Sequence, residues 1–449
     1  MNVKNLINIS PILKPFRIEI DMLFTDYQFR ILKYGMKSMD MDDKWDIQFE
    51  NNWLRFYRSW TGHEIYKAQL IPLGDKYCIK EISVETDFNR YKFSNVEKEK
   101  NIFAYLIYRC VLKNKNYSIN PSIDKAEEFN RFGNAPFTRN YNIHSILFGL
   151  AIGDALGVPV EFMSRNELNL NPVEDFIGFG TYQVPPGTFS DDTSLSMCLA
   201  EGLLPEYNID KIADNFKSWL FQNYWTATNE VFDVGFTTKR AISELAKGMK
   251  PEFAGGLNEE DNGNGSLMRI LPLILFTKDL CLEDRFEVVK KVSSITHAHI
   301  RSVLSCFYYL EFARELLITK DKQNSYINTN QTFFDFTKSY QINEMEVFCF
   351  NRLLSGNIDL LDADGIYTSG YVIHTLEASI WCIINSNSYK ESVLKAVNMG
   401  SDSDTTGAVT GGLAGILYGF ENIPKDWINK IAKSKEIYLL AQRLEEKYY

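Results

Sequence analysis

Four aspartates, in two short clusters lying far apart in the chain, are the residues best equipped for chemistry. One cluster is Ser190-Asp191-Asp192-Thr193 and the other is Asp402-Ser403-Asp404-Thr405-Thr406. Each sets two carboxylates beside hydroxyls where a helix is expected to start. Backbone N–H groups at a helix start favour negative charge, so either cluster alone reads as a cap. Brought into one pocket, the four carboxylates would repel one another and raise each other's pKa values. Two divalent cations would cancel the four charges, and an all-oxygen ligand set selects hard ions of the magnesium, manganese or calcium type. Such a pair, roughly 3.5–4 Å apart, can hold an attacking water and polarise a substrate oxygen. Asp402, Asp404, Thr406 and Gly407 also have the opening spacing of an EF-hand loop. Leu413 stands at the twelfth position, where that loop requires a bidentate Glu, and this excludes it.

Other candidates lie between the clusters. His144–Gly157 reads as an apolar helix with Gly149, Gly153 and Gly157 at four-residue spacing, a bare face suited to close backbone approach. Asp154 interrupts that helix and is expected to have a buried partner. Glu161 follows the helix-ending Pro159; beside a metal pair it would be a ligand, a base or a gate, and otherwise a surface residue. Asp233 precedes a glycine and a helix and reads as a helix cap. Asn262-Gly-Asn-Gly-Ser-Leu-Met-Arg269 reads as a glycine-rich turn opening an apolar helix, of the kind that offers N–H groups to phosphates. It matches neither common nucleotide-binding fingerprint. Thr296-His-Ala-His299 lacks a third nitrogen or sulfur ligand at a zinc spacing and reads as hydrogen-bonding equipment.

The elements that must position these residues fall into two regions. A chain of 449 residues exceeds the usual single domain. Residues 1–115 alternate with period two at Phe16–Phe24 and continue in aromatic and β-branched pieces at Trp45–Glu50, Trp53–Trp60, Glu64–Leu70 and Tyr77–Val84, before a helix at Val96–Leu112. This is a small α+β domain with no catalytic constellation, expected to be accessory or partner-binding. Residues 116–139 are polar, carry Pro121 and Pro136, and read as a linker with one short helix. Residues 140–449 are expected to be all-α. A net charge of −10 argues against nonspecific nucleic-acid binding. Seven scattered cysteines without a C-x-x-C pair read as free thiols of a reducing compartment. No basic-then-apolar leader opens the chain, and its nearest approach to a membrane span, around Gly407–Phe420, is short and glycine-rich. A cytoplasmic protein without membrane contact is the expectation.

Taken in order, Gly149-Leu-Ala-Ile-Gly-Asp-Ala-Leu-Gly157 with Glu161, Ser190-Asp-Asp-Thr193, Phe232-Asp-Val-Gly235, Asn264-Gly-Ser-Leu-Met-Arg269, Thr296-His-Ala-His299, Ser369-Gly-Tyr371 and Gly400-Ser-Asp-Ser-Asp-Thr405 resemble the ADP-ribosylglycohydrolase family, in its dinitrogenase-reductase-activating branch. The resemblance spans about residues 142–420. It implies a compact all-α fold, two magnesium or manganese ions, and hydrolysis of the bond between ADP-ribose and a protein side chain, often arginine. Carried onto this chain, it makes Ser190, Asp191, Asp192, Asp402, Asp404 and Thr405 metal ligands. It sets Glu161 beside the site, Asp233 on the substrate ribose, and Asn264, Gly265, Ser266 and Met268 along the ADP-ribose cleft with His297 nearby. Asp191 or Asp402 would transfer the proton. Ser190 departs from the usual threonine but keeps the hydroxyl, and His374 occupies a position that is often acidic. Serine-linked ADP-ribose or a small ADP-ribosyl compound is an alternative substrate. The unassigned first domain suggests another role, docking on an ADP-ribosylating toxin as an immunity protein.

Overall fold

A computed structural model describes residues 9–38, 42–114, 117, 125–134, 142–204 and 206–448. The chain forms two units, residues 1–140 and 141–448.

In the first unit the alternation seen in the sequence becomes a sheet. Its strands are β1 (Pro15–Phe24), β2 (Trp45–Glu50), β3 (Trp53–Arg58), β4 (Glu64–Gln69), β5 (Ile71–Leu73) and β6 (Lys76–Glu85). The order is β1-β6-β4-β3-β2, all neighbours antiparallel, with β5 paired to β6. Ile18, Met22, Phe24, Trp45, Ile47, Leu54 and Phe56 point into one core, as period-two side chains on a half-covered sheet must. Phe103, Leu106, Ile107 and Cys110 cover that core from the helix Val96–Tyr105 and its π-helical continuation Leu106–Val111. Phe132, on the helix Lys125–Phe132, joins the same core and stacks on Tyr105 at 4.2 Å. That part of the expected linker is therefore built into the first unit; the prolines at 121 and 136 lie outside the described residues.

The second unit is helical. Its described residues contain isolated bridges but no strand. Its organising contact is the crossing of Asn142–Gly157 with Ser403–Tyr418. The glycine face of the first helix meets a second glycine row. A Cβ on Gly153 would lie 2.0 Å from the Gly407 carbonyl, and one on Gly149 would lie 2.4 Å from that of Gly411. Backbones can approach this closely only where both surfaces lack side chains. The helix Asn142–Val160 is also long and apolar enough to cross a membrane, rather than the stretch near Gly407 singled out in the sequence; it is wholly buried within the unit, as a core helix is.

Candidate active site

The crossing helix Asn142–Gly157 holds both aspartate clusters. On one side, Gly157 abuts the backbone of Ser403 and Asp404, where an added Cβ would lie 2.4 Å from the Asp404 Cα. On the other, Asp154 accepts hydrogen bonds from the backbone N–H groups of Ser190 (2.9 Å) and Thr193 (3.0 Å) and from the Thr193 hydroxyl (2.6 Å). These donors belong to the start of the helix Asp191–Gly202, which Ser190 caps by accepting from the Asp192 N–H. Asp154 thus has the buried partner that its place in an apolar helix demands.

The two clusters meet. The Thr405 hydroxyl donates to Asp192 Oδ2 at 3.3 Å, across 213 residues of sequence. Ser190 Oγ donates to the same oxygen at 3.1 Å. Asn264 Nδ2 donates to Asp402 Oδ2 at 2.8 Å, bringing in the glycine-rich turn. One carboxylate oxygen each from Glu161, Asp233 and Asp404 lies within 4.8 Å of the other two. A cleft of about 300 Å³ opens over this floor, lined at one end by Glu161, Asp191, Asp233, Asp402 and Thr405. Phe236, Thr238, Asn264, Gly265, Met268 and His297 line the rest of it.

The electrostatics follow from packing so many carboxylates together. Burial, then the charges of Asp233, Asp192, Asp154 and Glu161, holds Asp191 well above the usual carboxylate range. Asp192 and Asp404 are raised well above it as well, by burial and then by neighbouring acids. Burial, with Asp233 next, pushes Glu161 up to about 9. Burial takes Asp154 to about 7 in spite of its donors. None of the leading causes is a lysine or arginine charge. Glu161 Oε2, Asp192 Oδ1 and Asp404 Oδ2 are buried with no hydrogen-bond partner. Unpartnered oxygens in an uncompensated acidic floor, all of them hard donors, are the chemistry that divalent cations of the magnesium type fit. His297 has the opposite problem. Burial, then the charge of Arg269, lowers it to about 3, so it faces the cleft as a neutral ring, its Nδ1 2.8 Å from Thr296 Oγ1.

Three expectations are corrected. Asp233 is not a helix cap: Gly235 caps Phe236–Ala246, and Asp233, at φ 58°, turns its carboxylate to the Tyr182 hydroxyl (2.6 Å) and the acidic floor. Ser266 does not line the cleft. It is fully buried behind it, against Cys306 Sγ at 3.4 Å, because the turn rolls it inward. Nor does the glycine-rich segment open an apolar helix directly; the apolar helix Ile274–Thr277 that follows has only four residues. The segment runs through turns into the short 3₁₀ piece Leu271–Leu273, and the Asn264 N–H is used by the Gly370 carbonyl at 3.0 Å. Ser190, Asp192 and Asp404 lie behind the cleft surface, while Asp191, Asp402 and Thr405 reach it. Tyr182 was missed, and Gly370 entered only within the Ser369-Gly-Tyr371 motif, with no place in the cleft assigned to it. Tyr182 sits in an irregular loop with no periodicity to mark it, although its neighbour Thr181 is tied to the Glu161 carbonyl at 2.8 Å.

Comparison with known proteins gives a consistent picture. The family model described as ADP-ribosylglycohydrolase matches residues 138–449. The ADP-ribosylarginine hydrolase Tri1 of Serratia proteamaculans (strain 568) is 32% identical over 300 residues, 66% of this chain and 77% of that protein. The ADP-ribosyl-[dinitrogen reductase] glycohydrolase of Rhodospirillum rubrum is 28% identical over 294 residues, 63% of this chain and 87% of that protein. A solved structure titled "ADP-ribosylglycohydrolase-related protein complex" superposes with a TM-score of 0.56 at 28% identity, covering 69% of this chain and 99% of that one.

Proposed function

Because this chain belongs to the ADP-ribosylglycohydrolase family, we propose that it is a metal-dependent hydrolase that removes ADP-ribose from modified protein side chains, arginine above all. The observation that carries the reading is the junction of the two clusters at Asp192 and Thr405, with three buried carboxylate oxygens left unpartnered around it. The arginine preference rests on the likeness to the ADP-ribosylarginine hydrolase of Serratia proteamaculans.

Ser190, Asp191, Asp192, Asp402, Asp404 and Thr405 would hold two magnesium or manganese ions. Such ions, when bound, supply the positive charge that lets the carboxylates ionise together, and act as Lewis acids toward oxygen. The chain's own groups do the rest. The turn carrying Asn264 and Gly265, with the neutral His297 beside it, offers polar contacts to an ADP-ribose lying along the cleft. Asp233 accepts from a ribose hydroxyl. Cleavage at the anomeric carbon passes through an oxocarbenium-like state, which carboxylates beside that carbon would stabilise. Asp191 or Asp402, both at the cleft surface, takes a proton from the attacking water, and the departing guanidine gains one. Glu161, in the same floor with Asp233 and Asp404, would be a further ligand, a base or a gate over the site.

The test is a side-by-side assay on arginine-linked and serine-linked ADP-ribose, with exhaustive chelation and restoration by magnesium or manganese. Turnover of the arginine adduct, lost on chelation and restored by the ion, is expected. Turnover untouched by chelation overturns the metal mechanism, and exclusive turnover of the serine adduct overturns the acceptor assignment.

A second reading concerns the first unit, which lies outside the family match and presents Trp60 and Phe88 to solvent. It would dock on an ADP-ribosylating toxin and block it. Protection against such a toxin that survives Asp402→Asn would favour blocking, and protection lost with that change would favour hydrolysis. The seven free thiols, five of them buried, suit a reducing cytoplasm.

A further inference from the structure

A second cavity of about 370 Å³ adjoins the acidic end of the cleft. Three chain segments pass from one to the other: Glu161 lines the cleft and Ser164 the second cavity, Gly370 and Ser369 divide in the same way, and so do Asp402 and Ser401. The wall between them is thus a few residues of backbone. That wall is tightly built. The Asp402 N–H donates to the Thr368 carbonyl at 3.0 Å, the Phe162 N–H to the Ser401 carbonyl at 2.7 Å, and the Ser401 N–H to the Met163 carbonyl at 2.8 Å. Gly370 keeps it thin, since a Cβ there would stand 3.3 Å from Asp402 Oδ2.

The position of this cavity is informative. Phe236, Thr238, Gly265 and His297 line the rest of the cleft, where on the hydrolase reading the nucleotide lies, with the bond to be broken over the carboxylates. The acceptor side of that bond has the second cavity within reach past Gly370. The cavity is lined by polar groups, among them one cation, Arg165, and one exposed carboxylate, Asp364, 4.0 Å apart. Arg165 is occupied by the carbonyls of Met399 (3.2 Å), Ile366 (2.7 Å) and Ala363. His374 Nδ1 lies 2.8 Å from Ser369 Oγ, and the ring sits 5.0 Å from those of Tyr367 and Tyr371. Burial, aided by Arg352, holds the imidazole below its ordinary value, so it meets a ligand uncharged. With Arg165 and Asp364 offsetting each other, a neutral imidazole, a hydroxyl and the exposed Tyr367 ring are left to meet a ligand, and these suit an amide backbone.

We propose that this groove, with His374 and Tyr367 in it, seats the polypeptide flanking the ADP-ribosylated side chain. The proposal rests on the hydrolase reading above. It is tested by comparing wild type, His374→Ala and Tyr367→Ala on an ADP-ribosylated peptide and on the corresponding ADP-ribosylated free amino acid, with circular dichroism to confirm folding. Because Tyr367 is exposed, its variant serves should His374→Ala fail to fold. The expected result is a fall in kcat/KM of about tenfold on the peptide, mainly through KM, with the free amino acid adduct turned over as before. Equal effects on both substrates, or none on the peptide, would overturn the groove while leaving the hydrolase in place. A wild type inert on both substrates would instead overturn the hydrolase reading, and the groove with it.

Discussion

Asp154 Oδ2 takes both the backbone N–H and the hydroxyl of Thr193, at 3.0 and 2.6 Å, inside a fully buried helix contact. This pairing joins the glycine-faced helix to the first aspartate cluster, so the geometry of the acidic floor depends on a residue that does not line the cleft.

Asp154→Asn should therefore impair both stability and activity. The amide would set its own donors against three donors and lose the charge-assisted bonds. A loss of about 2–3 kcal/mol in urea unfolding is expected, with turnover at least tenfold down. Unchanged stability would show that the contact is dispensable.

The glycine crossing makes a second prediction. Gly153→Ala gains roughly 1 kcal/mol of helix propensity. Its new Cβ meets the Gly407 carbonyl backbone, which cannot swing aside, so net destabilisation of about 1–3 kcal/mol is expected. Gly365→Ala, with open space around its Cβ and no positive φ, should stay within about 0.5 kcal/mol. Thermal melts of the two variants decide it.

The raised carboxylates predict the pH dependence of metal-stripped protein. Glu161 titrates from a reference of 4.5 when unfolded and about 9 when folded. Between those values the native state holds more protons than the unfolded chain, so stability is full below the lower value and declines as pH rises toward the upper one. Asp154, raised from 3.8 to about 7, has the same sign. The Tm of chelated protein should fall between about pH 5.5 and 8.5, and added magnesium should raise Tm most at the alkaline end. A chelated Tm that climbs over this range contradicts the acidic floor.

Tyr182→Phe removes the hydroxyl that donates to Asp233 at 2.6 Å while keeping the ring packed on Phe232 at 5.0 Å. Freed of that bond, Asp233 should hold the ribose less well. We expect kcat/KM to fall about tenfold and Tm by a few degrees at most, since one hydrogen bond to a charged group is worth roughly 1.5–3 kcal/mol. Steady-state kinetics beside a melt separates this from a folding defect.

The sequence by itself determined the local structure and the chemistry on offer. Period-two runs such as Phe16–Phe24 marked the strands, and small residues every four positions marked the helix at His144–Gly157, because side-chain alternation and helical pitch are local properties. The ordered motifs marked the family, and the two aspartate clusters suggested what divalent ions could do between them. Only the tertiary structure decided that Thr405 reaches Asp192, that Asp233 turns from a helix start to Tyr182, that Ser266 rolls behind the cleft, and that a second groove lies past Gly370. Each of these depends on contacts between segments scores to hundreds of residues apart or on the path of an irregular loop. Neither leaves a periodic trace in the chain, since such contacts are selected by burial and hydrogen-bond satisfaction in the assembled fold.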